Sequence, residues 1–90
     1  MPRQSRTFTI VNALGLHARA AAQLVQTANR FKAEVHVEKE GQEVNGKSIM
    51  GVLTLAAAKG SQVAVTVEGD DADAAMTALA KLIEAGFGET

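Results

Sequence analysis

The spacing of apolar residues along the chain switches between two and three-to-four, and each switch marks an element. In RTFTIVN, residues 6–12, Phe8 and Ile10 alternate with Thr7 and Thr9, which predicts a strand with one buried face. From Ala18 to Phe31 the period becomes helical: Ala21, Leu24, Val25, Ala28 and Phe31 form a stripe, with Gln23, Gln26, Thr27 and Arg30 off it. AEVHVEK, residues 33–39, predicts a second strand with Val35 and Val37 inward. EGQEVN turns at Gly41 into a short third strand around Val44. Residues 47–60, KSIMGVLTLAAAKG, read as a short helix and a loop, with Ser48 as N-cap and Gly60 as stop signal. SQVAVTVEG is a strand with Val63, Val65 and Val67 on one face. Residues 70–86, DDADAAMTALAKLIEAG, predict a helix whose stripe is Ala72, Ala75, Met76, Leu79 and Ile83. Asp70, Asp71 and Asp73 lie near its start and Lys81 toward its end, as the helix dipole favours.

The order is strand, helix, strand, strand, short helix, strand, helix. Every strand has one apolar face and each long helix one apolar stripe, so the simplest closure is an α+β fold in which one sheet carries the helices on one face. The other face, with Thr7, Thr9, Glu34, His36, Glu38 and Thr66, then meets water. No linker, repeat or low-complexity stretch interrupts residues 1–90, which fit a single domain. A chain of this size buries roughly 60–65% of the surface it exposes when unfolded.

Composition narrows the function. Nine basic and ten acidic side chains are interspersed for a net charge of −1, and the only aromatics are three Phe. Without a basic stripe or a set of stacking rings, nucleic acid is not an expected partner. No Cys is present, so no disulfide and no thiolate metal site is expected. The two histidines, His17 and His36, form no metal cluster with neighbouring residues in sequence, and no cofactor is expected. His36, between Val35 and Val37, reads as an exposed strand residue. MPRQSRTFTI does not resemble a secretory signal, and no window approaches the ~20 apolar residues of a membrane span. The expected location is the cytoplasm, without membrane attachment.

The candidate chemistry lies in LGLHARAAA, residues 14–22. His17 falls at or just before the first residue of the first helix, where unpaired N–H groups and the helix dipole attract anions. An imidazole is nucleophilic near neutral pH, and Arg19 supplies a donor fork suited to phosphate oxygens. Nucleophile, donors and countercharge come from one segment, a combination suited to transient phosphorylation of His17. The residues alone leave a second role open: a histidine that merely caps the helix and an arginine that is merely solvated. No Asp or Glu stands near His17 in sequence to relay a proton.

LGLHARAAA together with NGKSIMGVLTLAAAKG downstream resembles the HPr family, the histidine-containing phosphocarriers of the bacterial phosphotransferase system. The resemblance runs from about Thr7 to Phe87. It implies an open-faced β-sandwich: a four-stranded antiparallel sheet with three helices on one face, in the order βαββαβα. It implies that enzyme I passes a phosphoryl group from phosphoenolpyruvate to Nδ1 of His17, that Arg19 contacts that group, and that a histidine of a IIA protein or domain receives it. In many relatives the serine matching Ser48 is phosphorylated by an HPr kinase/phosphorylase; its simpler role is N-cap. Such a phosphate would gain from the helix N-terminus and add about −1.5 to −2 charge on a docking face. Ile49 and Met50 are expected to dock partners, and Leu53 and Leu55 to join the core. The chain departs from the family at Ala20, where relatives usually have Pro; Ala keeps the helix but removes a stiffening ring. LIEAGFGE resembles nitrogen-branch relatives as much as sugar-branch ones. The expected protein is a monomeric carrier rather than an enzyme. A regulatory module that docks partners according to its phosphorylation, and a ligand-sensing α+β domain, are the other readings.

Overall fold

A computed structural model describes residues 2–89. The strands are β1 (Arg3–Thr9), β2 (Glu34–Lys39), β3 (Gln42–Asn45) and β4 (Gln62–Glu68); the helices are α1 (Ala18–Ala28), α2 (Ile49–Thr54) and α3 (Ala72–Glu84). A 3₁₀ turn, Gly86–Gly88, follows α3. The sheet order is β1-β4-β2-β3, antiparallel throughout. Three helices pack against it and against each other, with α1 touching both α2 and α3.

The inward valines hold the layers together. Val35, Val37, Val63, Val65 and Val67 are buried beneath Leu24, Ala28, Met76, Leu79 and Ile83 in one continuous cluster. Burial of a side chain of this size stabilises the fold by about 1.5–3 kcal/mol. Leu55 and Val52 from α2 and its C-cap join this cluster, whereas Leu53 is only half-buried. On the open face Ser5 and Thr66 pair through their hydroxyls at 3.0 Å, and His36, half-buried, lies opposite Asn45 and Thr66. Glu40 and Gly41 both have positive φ (51° and 84°) and join β2 to β3 as a two-residue hairpin, the backbone a twisted ribbon favours.

Several boundaries differ from those read in the sequence, each for a tertiary reason. The first strand runs over residues 3–9 rather than 6–12, because β4 offers partners as far as Glu68, which pairs with Arg3. The alternation nevertheless persists past its end: Phe8, Ile10 and Asn12 are all buried, and Val11 is exposed. Helix α1 stops at Ala28 rather than Phe31. The side chain of Asn29 donates to Val25 O at 3.0 Å and closes the helix, leaving Phe31 half-buried beyond it.

Helix α3 begins at Ala72, and the carboxylate of Asp71 does not cap it. It accepts instead from the backbone N–H groups of Lys32 (2.9 Å) and Ala33 (2.8 Å), tying α3 to the loop between α1 and β2. These two bonds, the Lys32 one foremost, hold the Asp71 carboxyl below its ordinary value of 3.8. A group so lowered stabilises the fold above its unfolded value, and the contribution disappears as pH falls through the folded value. Asp71→Ala should therefore lower Tm by several degrees at neutral pH. Thermal melts should show the gap to the unmodified protein closing as pH drops below 3.8; a gap constant with pH would refute this role.

Candidate functional site

The site is built by the segment between β1 and α1. Asn12 is 4% exposed, and its amide donates to Gly15 O at 2.7 Å, closing a tight loop. Gly15 has φ +66°, a left-handed conformation that side chains resist. A Cβ there would stand 2.4 Å from Ala57 O, so glycine is required twice over. The next residue, Leu16, donates its N–H to that same oxygen at 2.8 Å and is buried. Pinned at both ends, the loop delivers His17 as the N-cap of α1, in extended conformation (φ −73°, ψ 180°).

The first helical bond runs from Ala21 N–H to His17 O at 2.8 Å, so the amides of Ala18, Arg19 and Ala20 precede the helical ladder and point out of the helix start. The imidazole of His17 makes no capping bond. It lines a shallow depression with Ala13, Leu14, Arg19 and Glu89. Helix dipole, free amides and the Arg19 guanidinium thus converge on the ring, with Arg19 and Leu14 exposed. The opening suits a group presented by another macromolecule; it has no walls to enclose a small substrate. Ala20 is fully buried in the first turn, which is regular helix without proline.

Glu89 is the residue that sequence reasoning missed. Its carboxylate meets His17 Nε2 and also accepts from Asn12 Nδ2 at 3.0 Å. The Asn12 bond first, and the His17 contact second, keep the Glu89 carboxyl below its usual value. Seventy-two residues separate His17 from Glu89. The only local signal was a phenylalanine between two glycines, Gly86-Phe87-Gly88.

Ser48 is the N-cap of α2, as expected: its Oγ accepts from Gly51 N–H at 3.1 Å. Ile49 and Met50 are 43% and 72% exposed, with Leu14 and Val11 the other large apolar residues open to solvent among the described residues. The structure therefore joins His17 and Arg19 in one depression, and places Ser48, Ile49 and Met50 at the start of α2, outside the lining of that depression. Among the described residues no group of three or more His, Cys, Asp and Glu is arranged to hold a metal, and no helix is long and apolar enough to cross a membrane.

Residues 4–85 match the family model described as the PTS HPr component phosphorylation site. The chain belongs to the HPr family of phosphocarrier proteins. It is 51% identical over 84 residues to the phosphocarrier protein HPr of Neisseria meningitidis serogroup B, covering 93% of this chain and 94% of that one. The solved HPr of Thermoanaerobacter tengcongensis superimposes with a TM-score of 0.93 at 47% identity, covering 97% of this chain and 98% of that one. Crh, the Bacillus subtilis catabolite repression protein solved as a domain-swapped dimer, gives a TM-score of 0.74 at 42% identity over 87% of this chain and 86% of that one. The four-stranded open sheet with three helices is thus the HPr fold. As an HPr, the protein is a phosphoryl carrier and not an enzyme, and it works within the phosphotransferase system.

Proposed function

We propose that His17 accepts a phosphoryl group from phospho-enzyme I and passes it to a histidine of a IIA protein or domain, with residues 1–90 acting as one HPr domain. The observation that carries this is the position of the His17 ring: at the start of α1, in a shallow open depression beside Arg19. A phosphoryl group on the ring gains from the unpaired amides, the helix dipole and the Arg19 guanidinium. Because donor and acceptor proteins must both reach the ring and then leave, the docking areas should be small and weak. Exposed Ile49 and Met50 are the docking residues in this reading, methionine being suited to more than one partner. The carrier acts as a monomer in the cytoplasm. The test is intact-protein mass after incubation with phosphoenolpyruvate and active enzyme I. One added phosphate, lost in acid, supports the reading; no added mass overturns it.

Ser48 is the proposed regulatory site, a substrate for an HPr kinase/phosphorylase. Its Oγ already sits over Gly51 N–H beside Ile49 and Met50, so a phosphate there would put negative charge on the docking residues. Ser48→Asp should raise the KM for enzyme I about tenfold or more, with kcat much less affected. Equal KM values for the two proteins would remove Ser48 from the docking surface.

The second reading, a regulatory module whose phosphorylation controls partner docking, draws on the likeness to Crh and on the exposure of Ile49 and Met50. Onward transfer from phospho-His17 to a IIA protein separates the two.

A further inference from the structure

We infer that Glu89 is a positioning residue for phosphoryl transfer: it holds the proton of His17 on Nε2 and so presents Nδ1 as the nucleophile. This rests on the carrier reading above. Glu89 lies outside the residues 4–85 that carry the family match, so the inference comes from the geometry of this chain.

The tail that bears Glu89 is built rather than draped. Gly86, Phe87 and Gly88 all have positive φ (64°, 58° and 74°), which turns the chain back at the end of α3. Phe87 is buried, 3% exposed, and anchors the turn in the core. Gly88 N–H donates to Ala85 O at 3.2 Å and Glu89 N–H to Gly86 O at 3.1 Å. A left-handed phenylalanine costs of order 1–3 kcal/mol and persists only where surrounding contacts impose it. The outcome of that arrangement is a carboxylate held between Asn12 Nδ2 and His17 Nε2, its side chain only 17% exposed. Asn12, in turn, is fixed by its bond to Gly15 O, so the loop that presents His17 and the tail that presents Glu89 share one buried amide.

A carboxylate accepts and cannot donate while ionised. Its partner nitrogen on a neutral imidazole must therefore carry the hydrogen, which leaves the lone pair on Nδ1. Among the described residues Nδ1 has no hydrogen-bond partner. In uptake, the Nδ1 lone pair forms a bond to phosphorus as the bond from phosphorus to its carrying atom on phospho-enzyme I breaks, and that electron pair returns to the donor. The proton stays on Nε2, so the ring of phospho-His17 becomes positively charged, and Glu89 faces that charge across the ring from the phosphate. The stabilisation arises as the reaction proceeds, which is the condition for an effect on rate rather than on binding.

The experiment compares the unmodified chain with Glu89→Ala and Glu89→Gln, using ¹⁵N NMR of the His17 ring at about pH 8.5, where imidazole is neutral, and steady-state phosphorylation by enzyme I. The unmodified protein should show a single neutral tautomer with hydrogen on Nε2. Glu89→Ala should give a mixture of the two tautomers, with kcat down about tenfold and KM for enzyme I unchanged. Glu89→Gln keeps the shape but leaves one accepting oxygen for the two donors Asn12 Nδ2 and His17 Nε2, and no charge, so it should restore neither the single tautomer nor the full rate. An unchanged tautomer or an unchanged kcat in Glu89→Ala overturns the role of Glu89 alone. An unmodified chain that takes no phosphate from active enzyme I overturns the carrier reading with it.

Discussion

His17→Ala should abolish phosphoryl uptake from enzyme I, by at least a thousandfold and with no residual slow phase, while leaving the fold intact. In the proposed function the loss is complete because the imidazole would be the covalent acceptor, and a missing nucleophile cannot be replaced by binding energy. The other imidazole gives no substitute: His36 sits half-buried on the open sheet face, away from the helix layer, with Asn45 and Thr66 opposite it. The fold survives because the His17 side chain caps nothing. Its backbone carbonyl receives Ala21 N–H whatever the side chain is, and its ring lies over a shallow surface depression. Replacements of that kind shift Tm by no more than about 3 °C in a domain of this size. Intact mass and a thermal melt on the same sample check both halves. A variant that still gains acid-labile phosphate would transfer the acceptor role to another residue, and one that unfolds would make His17 structural.

Gly15→Ala should damage both stability and transfer, although the substitution adds one methyl group two residues from His17, the proposed acceptor. The left-handed backbone at Gly15 costs a residue with a Cβ about 1–2 kcal/mol. The Cβ would also stand 2.4 Å from Ala57 O and 2.9 Å from Ala58 Cα, both backbone atoms that cannot rotate away. Overpacking of this kind costs about 1–3 kcal/mol more. The sum, about 2–5 kcal/mol, lowers Tm by roughly 10–25 °C. Relief requires the loop to move off Ala57, which breaks the 2.8 Å bond from Leu16 N–H and displaces His17 from the helix start. Phosphoryl uptake should then fall at least tenfold even at temperatures where the variant is folded. Gly41→Ala supplies the control. Its φ is +84°, yet nothing lies within 4 Å of an added Cβ. It should show the conformational cost alone, about 1–2 kcal/mol, and normal transfer. Equal Tm losses in the two variants would show that backbone conformation, not the contact with Ala57, makes Gly15 necessary.

The sequence by itself determined the layers and the setting of His17. Strict alternation at Val63, Val65 and Val67, and the helical stripe from Ala72 to Ile83, report burial directly, because a strand and a helix each repeat their inward face at a spacing set by local geometry. Ser48 was legible as an N-cap for the same reason: its partner, Gly51 N–H, is three residues away. His17 at the start of α1 followed from the change of period at Ala18. Boundaries were less legible where a distant partner decided them. The reach of β1 back to Arg3 depends on β4, and Asp71 leaves its own helix for the amides of Lys32 and Ala33. The acidic neighbour of His17 was not legible at all. No periodicity connects Glu89 to residue 17. It arrives because α3 runs back across the sheet, Phe87 finds the core, and three left-handed residues turn the Glu89 carboxylate toward His17 Nε2. Local order is written in spacing along the chain; the meeting of Glu89, Asn12 and His17 exists only after the layers have packed.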